Sequence, residues 1–122
     1  MLNNMDIQKE TQHRGYAIRF SAQDGGQEVG HAYLYIIYND LYEEPYGLME
    51  DVFVEDGHRG SGIGTKLVHA LIEESKSLGC SKLIGQSRYG KEHVHQLYES
   101  LGFRDHGKNF RMDFISEGHT SI

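Results

Sequence analysis

Six consecutive residues, Arg59-Gly60-Ser61-Gly62-Ile63-Gly64, form the stretch best suited to chemistry in this chain. They lie between an apolar segment and a segment whose apolar residues recur at the helical period of about 3.6 residues. A helix start leaves backbone N–H groups unpaired and carries partial positive charge, so it attracts an anion. Glycines let a bulky polyphosphate approach the backbone without striking a Cβ atom. The turn therefore predicts an anion site, and a pyrophosphate is the expected ligand.

The spacing within this turn excludes two common nucleotide-binding motifs. A Walker-A loop needs Gly-Lys-Ser/Thr in sequence, whereas Thr65 separates Gly64 from Lys66 here. A dinucleotide fingerprint needs glycines at relative positions one, three and six, but the sixth position counted from Gly60 is Thr65. The spacing that remains is Arg-x-x-Gly-x-Gly.

This spacing, with a strand before it and a helix after it, resembles the acyl-CoA binding motif of the GNAT superfamily of N-acyltransferases. A second segment, Gln96-Leu97-Tyr98-Glu99-Ser100-Leu101-Gly102-Phe103, resembles the helix and turn that follow the fifth strand in that family. The resemblance extends from about residue 30 to residue 115 and is nearest to the polyamine acetyltransferase branch. It implies an α/β fold built on a mixed sheet (α+β), with acetyl-CoA as cosubstrate and no metal.

The resemblance also implies which residues bind the coenzyme. In the family, backbone amides of the turn hold the pyrophosphate. Backbone groups of the preceding strand hold pantetheine by strand-like hydrogen bonds, so the N–H of Val54 or of a neighbour is expected to face the thioester oxygen. The implied coenzyme-binding residues are Val52, Phe53, Val54, Arg59, Gly60, Ser61, Gly62, Ile63, Gly64 and Thr65.

Acyl transfer to an amine needs a held thioester, an oxyanion donor, a neutral amine and a proton for the leaving thiolate. The family tyrosine near the coenzyme sulfur matches Tyr98, which is therefore the candidate acid. Glu50 is the candidate base, because GNAT enzymes often place a carboxylate on this strand. Alternation along the strand sends Glu50 and Asp51 to opposite faces, so only one is expected to face the acceptor. An ordinary core tyrosine and a solvated strand-end carboxylate are the alternative interpretations.

Acidic residues bracket this central strand. If they line the acceptor cleft, they would attract a cationic amine such as a polyamine, an aminoglycoside-like amine or a lysine side chain. An ordinary solvated loop face is the alternative interpretation. The residues are Asp40, Glu43, Glu44, Glu50, Asp51, Glu55 and Asp56.

Two other features do not support a site. The segment His93-Val94-His95, together with His106, suggests metal ligands, but alternate residues of a helix splay apart and no cysteine completes a set. No metal site is predicted. No cationic pair lies at a sequence spacing from Cys80 that would predict an activated thiolate, so we expect Cys80 to pack in the fold rather than to act as a nucleophile.

Composition limits the function classes. The length of 122 residues predicts a single domain, residues 1–122. The formal net charge of −6 argues against a general nucleic-acid binder, which needs a basic face. No apolar run approaches the roughly 20 residues of a membrane span. The single cysteine allows no intrachain disulfide, and a cytoplasmic location is predicted.

The elements that position these residues follow from the hydrophobic pattern. A hairpin is predicted from residues 16–20 and 28–38, around the turn signal Asp24-Gly25-Gly26. A strand at 47–54 precedes the helix, which runs from Ile63 to Leu78 and ends at Gly79. Further predictions are a strand at 82–87, a helix at 92–101, a last strand at 109–115, a loose tail or edge strand at 1–14 and a frayed tail at 116–122.

The predicted order departs from the family pattern in one respect. GNAT proteins usually place two helices between their first two strands, whereas this chain has a short turn at Asp24. Because those helices wall the acceptor side, the acceptor site is expected to be open or completed by a second subunit, and a homodimer is expected. The function predicted is an acetyl-CoA dependent N-acetyltransferase that works by direct attack of a small cationic amine or a protein amine. The alternative is a non-catalytic acyl-CoA binding or sensing domain.

Overall fold

The chain forms one mixed sheet with two helices, in a computed structural model that describes residues 5–115. A short 3₁₀ turn at Asp56–His58 precedes the first helix. The elements in chain order are β1 (Gly15–Asp24), β2 (Gln27–Ile37), β3 (Tyr46–Val54), α1 (Ile63–Ser77), β4 (Leu83–Gly85) and α2 (Glu92–Ser100). The predicted fold class is confirmed.

The predicted hairpin is the start of the sheet. β1 and β2 pair antiparallel, and their connection is the two-residue turn Gly25-Gly26. Both glycines have positive φ, 59° and 83°, which is the conformation that a tight hairpin turn requires at its central residues.

The strand order is β1-β2-β3-β4, with β3 antiparallel to β2 and parallel to β4. α1 supplies the crossover that a parallel pair needs. The β3–β4 ladder is very short, because its partners run only from Gly47↔Leu83 to Met49↔Gly85. Beyond Met49 the edge of β3 that faces β4 has no strand beside it among residues 5–115.

The core lies between α1 and one face of the sheet. Leu67, Val68 and Leu71 of α1 are buried against Leu34 and Ile36 of β2, as the helical period of the sequence predicts. The remaining core residues are Ala32, Met49, Val52, Val54, Val94 and Tyr98. The opposite face of the sheet is more open and carries Tyr35 and Glu50.

Gly79 ends α1 as predicted. Its φ is 74°, its N–H donates to the carbonyl of Lys76, and the N–H of Cys80 donates to the carbonyl of Ser75. This pair of bonds is the Schellman arrangement, which satisfies helix carbonyls that otherwise lack partners.

The predicted last strand at 109–115 is wrong. Phe110, Met112 and Phe114 alternate as a strand would, yet they are 90%, 77% and 87% exposed and no residue of the segment is in a strand. Alternation specifies a face but not a partner, and the segment pairs with no edge among residues 5–115. It crosses the open face of the sheet as irregular chain, and Asn109 contacts Gln86 through a 3.3 Å side-chain hydrogen bond.

The remaining predictions concern shorter pieces. β4 is shorter than the predicted strand at 82–87, and residues 5–14 are irregular rather than an edge strand. Residues 1–4 and the predicted frayed tail at 116–122 lie outside the described residues. Neither helix between residues 5 and 115 is long and apolar enough to cross a membrane.

Candidate functional site

The glycine turn is tied to the end of β3 by side chains on either side of its glycines. Arg59 Nε donates a hydrogen bond to the carbonyl of Val54, 2.9 Å away, and the Ser61 hydroxyl donates to the carbonyl of His58. Gly60 and Gly62 have φ of 83° and 86°, and a Cβ added to either would meet no atom of residues 5–115 within 4 Å. The space outside the turn is therefore open, and it borders glycine backbone that carries no side chains.

The start of α1 lies directly behind this open space. Gly62 is the N-cap and supplies no side-chain cap, while the first intrahelical hydrogen bond runs from Lys66 N–H to the Gly62 carbonyl at 3.0 Å. The N–H groups of Ile63, Gly64 and Thr65 therefore have no partner within the helix. They add to the positive end of the helix dipole, which suits an anion.

The edge of β3 that faces β4 runs from this turn back to Met49, where its pairing with β4 begins. Glu55 N–H donates to the Val29 carbonyl of β2 at 2.8 Å. Because backbone groups alternate in direction along a strand, those of Val54 and Val52 point away from β2. The bond from Arg59 to the Val54 carbonyl agrees with this direction. Val52 and Val54 therefore present backbone groups where β3 and β4 have separated.

Of the three residues predicted to contact pantetheine, Phe53 is placed differently. The same alternation turns its backbone into the ladder with His31 of β2. The two valines are better placed than Phe53 for an extended ligand, and the assignment of all three residues stays a prediction.

A β-bulge in β3 overturns the expected separation of the two carboxylates. Asp51 has a φ of 49°, and the register with β2 shifts between His31 and Tyr33, so that Ala32 opposes two residues of β3. Glu50 and Asp51 consequently line the same cleft. The expectation that they lie on opposite faces is wrong, because it assumes unbroken alternation and the bulge breaks it at this point.

Glu50 lies close to the other candidate catalytic group. Burial raises the pKa of the Glu50 carboxyl, and the negative charge of Asp51 raises it further. Burial likewise raises the pKa of the Tyr98 phenol, with an additional contribution from the charge of Glu50. Tyr98 is 7% exposed and its ring packs against Phe103 at 5.4 Å between centroids. Both candidate catalytic groups thus have raised pKa values, and the charge of Glu50 acts on the Tyr98 phenol.

His31 is a site residue that the sequence pattern did not single out. Its Nε2 lies 2.9 Å from Asp51 Oδ2, and its ring stacks on Phe53 at 5.4 Å between centroids. In the sequence it belongs to an apolar and aromatic run that predicts only a strand. A titratable side chain inside such a run is the signal that the sequence offers.

The open face of the sheet and residues 109–115 enclose a wide cleft of about 1620 Å³. Its carboxylates are Glu50, Asp51 and Asp113. The other five acidic residues of the predicted cluster lie outside the lining that residues 5–115 form, and they are exposed. Cations also reach the cleft, as Arg88, Lys91 and Arg111.

The histidines of α2 and Cys80, which the sequence does not predict to be site residues, have the contacts and burial of ordinary residues. His95 Nε2 lies 2.9 Å from the Arg88 carbonyl, His93 is exposed, and no group of three metal-ligating side chains occurs among residues 5–115. Burial raises the pKa of the Cys80 thiol, which favours its unreactive protonated form.

Comparison with known proteins places these features in context. The model of the Acetyltransferase (GNAT) family matches residues 3–103. Glucosamine 6-phosphate N-acetyltransferase of Trypanosoma brucei brucei is 43% identical over 67 residues, which are 55% of this chain and 44% of that protein. Thialysine N-epsilon-acetyltransferase of Sus scrofa is 34% identical over 82 residues, which are 66% of this chain and 47% of that protein. The chain spans about half the length of these curated relatives.

A solved structure from Agrobacterium tumefaciens str. C58, described provisionally as an acetyltransferase, is similar over most of both chains. The superposition has a TM-score of 0.75 at 28% sequence identity and covers 92% of this chain and 85% of that chain.

Proposed function

Because the chain belongs to the GNAT family of acetyltransferases, we propose that it transfers an acetyl group from acetyl-CoA to an amine. The observation that carries this proposal is the opening between β3 and β4, which leads from the carboxylate and phenol of the candidate site to the uncapped start of α1. The two relatives named above are N-acetyltransferases, which supports an amine as acceptor.

The glycine turn would hold the coenzyme pyrophosphate. The N–H groups of Ile63, Gly64 and Thr65 supply donors at the positive end of α1, and the open space outside Gly60 and Gly62 accepts a bulky anion. Arg59 holds the turn against β3 and adds positive charge, and Ser61 stabilises the turn through its bond to the His58 carbonyl.

The edge of β3 would hold the pantetheine arm and the thioester. An extended amide-bearing chain can pair with a strand edge through main-chain hydrogen bonds. The backbone groups of Val52 and Val54 point to that side, and either N–H can donate to the thioester oxygen as negative charge develops there. Bound acetyl-CoA supplies the activated acetyl group.

Glu50 and Tyr98 would move the two protons of the reaction. Glu50, directly or through a water molecule, accepts a proton from the amine so that the nitrogen can attack the acetyl carbon. The N–C bond forms as the C–S bond breaks, and Tyr98 donates its phenolic proton to the departing sulfur. The raised pKa values of both groups suit these roles, because a more basic carboxylate accepts a proton better and Tyr98 stays protonated.

The acceptor is proposed to be a small cationic amine or a protein amine. Glu50 and Asp51 place two carboxylates side by side in the cleft, which favours a positively charged group there. The acceptor would enter across the open face of the sheet, beside Tyr35.

We also propose a cytoplasmic homodimer. Exposed apolar side chains of residues 109–115, among them Phe110 and Phe114, favour contact with a second copy. A compartment that supplies acetyl-CoA favours the cytoplasm. Light scattering coupled to size-exclusion chromatography would measure the mass, and a monomer at all concentrations would contradict the dimer.

Calorimetric titration with acetyl-CoA tests the coenzyme site. Gly62→Glu should abolish saturable binding, because it places a carboxylate where the pyrophosphate is proposed to lie. Gly25→Glu is the matched control: it also adds a carboxylate at a glycine of positive φ with open space, but in the β1–β2 turn. No binding to the unaltered protein at millimolar acetyl-CoA would refute the proposal.

Turnover separates the enzyme from a non-catalytic coenzyme-binding domain. Once a screen has identified an acceptor amine, Tyr98→Phe and Glu50→Gln should lose turnover while acetyl-CoA affinity stays near normal. Saturable binding without transfer to any amine tested would favour the binding domain instead.

A further inference from the structure

His31 is held in one orientation from two directions. Its Nε2 lies 2.9 Å from Asp51 Oδ2, and its ring stacks on Phe53 with 28° between the planes. The side chain is only 19% exposed, so neither contact is loosened much by solvent. This geometry makes His31 the donor to Asp51, since a carboxylate can only accept.

A row of polar contacts continues behind His31 across the sheet. His31 Nδ1 lies 3.7 Å from Glu28 Oε2, and Arg19 of β1 holds Glu28 through two hydrogen bonds of 2.7 and 2.8 Å. The row thus links β1, β2 and β3 and ends at Asp51, next to Glu50. Such a row positions its last member more firmly than a single exposed pair does.

Asp51 is the residue that gains most from being held. Its left-handed φ of 49° belongs to the bulge that brings it onto the same side as Glu50. Aspartate tolerates this conformation better than most residues, but backbone tolerance does not fix where the carboxylate points. The bond from His31 does so.

We propose that His31 is a positioning residue for the acceptor side of the site, which holds the Asp51 carboxylate beside Glu50 through its Nε2 hydrogen bond. The consequence for turnover rests on the function proposed above, whereas the positioning itself does not. Burial raises the pKa of Glu50, and the negative charge of Asp51, held in place, raises it further. Without the donor, Asp51 loses the contact that orients its carboxylate beside Glu50, and the pKa of Glu50 falls towards the ordinary carboxyl value.

Several charged or titratable groups surround Glu50, and the test must separate them. Asp51 is adjacent on β3, and Tyr98 of α2 interacts electrostatically with Glu50. The others are His31, Glu28 and Arg19 in the row behind Asp51, and Arg88, Lys91, Arg111 and Asp113 around the cleft. Only substitutions in the row act through Asp51, so a comparison of variants there isolates the contact.

The experiment compares three His31 variants. His31→Phe keeps a ring to stack on Phe53 but has no donor, His31→Asn has a donor too short to reach Asp51, and His31→Gln places an amide nitrogen near the position of Nε2. His69→Gln, exposed on α1, is the matched control. Carboxyl ¹³C NMR, with the Glu50 signal assigned by Glu50→Gln, gives the titration midpoint of Glu50 without any substrate. The pH profile of kcat/KM reports the pKa of the same group in the working enzyme.

The expected result is a lower Glu50 midpoint in His31→Phe and His31→Asn, and no change in His31→Gln or His69→Gln. In the first two variants kcat should fall about three- to tenfold, because a weaker base accepts the proton less well, with KM for acetyl-CoA unchanged. In an Asp51→Asn background, which keeps a residue that tolerates positive φ, His31→Phe should have no further effect.

Equal Glu50 midpoints in His31→Phe, His31→Asn and the unaltered protein would overturn the inference. So would an identical loss of activity in all three variants, His31→Gln included, because that pattern indicates packing rather than donation. If the unaltered protein transfers acetyl to no amine, the proposed function fails, and the NMR midpoints still decide the role of His31.

Discussion

Arg59 Nε donates a hydrogen bond to the carbonyl oxygen of Val54, 2.9 Å away, and thereby joins the glycine turn to the last residue of β3. The same guanidinium lies 3.2 Å from the Asp56 carboxylate and over the ring of Phe53 at 5.9 Å. A residue that the sequence suggests as an anion ligand thus also fixes the distance between the two proposed halves of the coenzyme site.

Arg59→Ala should weaken acetyl-CoA binding by about tenfold, since a hydrogen bond from a charged donor contributes about 1.5–3 kcal/mol and water replaces part of it. Calorimetry would measure the change. Arg14→Ala, which removes an exposed ion pair with Asp40, is the control and should leave the affinity unchanged. Equal effects of the two substitutions would show that Arg59 acts only through net charge.

Tyr98→Phe should lower kcat by about a hundredfold and leave KM for acetyl-CoA unchanged, because the phenol acts when the thiolate departs. Burial and the charge of Glu50 raise the pKa of Tyr98. A fall in kcat at alkaline pH that is caused by ionisation of this phenol should therefore occur above the ordinary phenol range, and it should be absent in the variant. Steady-state kinetics across pH would test this. Tyr42→Phe, exposed in the β2–β3 loop, is the control; a full rate in Tyr98→Phe would remove the acid assignment.

Glu50→Gln should stabilise the protein at neutral pH by less than about 1 kcal/mol, since the side chain is only partly buried. The folded-state pKa of Glu50 is raised, so its contribution to stability is full at low pH and is lost as pH rises through that value. The difference between the variant and the unaltered protein should therefore vanish below about pH 4. Urea denaturation at several pH values would measure it, with Glu43→Gln as the exposed control. A variant less stable at neutral pH would contradict the prediction.

Gly85→Ala should destabilise the fold by about 1–3 kcal/mol, as overpacking of a core does. The added Cβ would lie 2.7 Å from Met49 Cε and 3.8 Å from Tyr98 Cε2, so relief of the first contact disturbs the neighbourhood of the second. Gly107→Ala is the control, because nothing lies within 4 Å of its added Cβ. Chemical denaturation that finds the two variants equally stable would show that Met49 moves aside at little cost.

The sequence predicts the parts of this fold that depend on local signals. α1 begins and ends where Gly62 and Gly79 place its termini, because the apolar stripe and the two glycines are signals within one segment. The hairpin follows from alternation around Gly25-Gly26 for the same reason. The resemblance of motifs predicts Tyr98 and Glu50 as candidate site residues, and the structure adds their burial and the electrostatic interaction between them.

The errors arise where a partner decides the outcome. Alternation at residues 109–115 does not show that the segment pairs with no strand edge among residues 5–115, and alternation at Glu50 and Asp51 does not show a bulge. His31 was missed because its chemistry depends on Asp51, which is 20 residues away in sequence and adjacent only across the β2–β3 pair. Contacts between strands carry this information, and a single sequence does not display it.

The three-residue ladder between β3 and β4 makes the attachment of the edge strand β4 the most weakly connected point of the sheet. Within the part of the chain that the structure describes, amide groups beyond Met49 on that edge lack the neighbouring strand that elsewhere slows exchange with solvent deuterium. A ligand that lies along this edge would act as a temporary fifth strand, so the protein would complete its own sheet only while loaded. Slower deuterium uptake at Val52 and Val54 on adding acetyl-CoA would record that event, amide by amide.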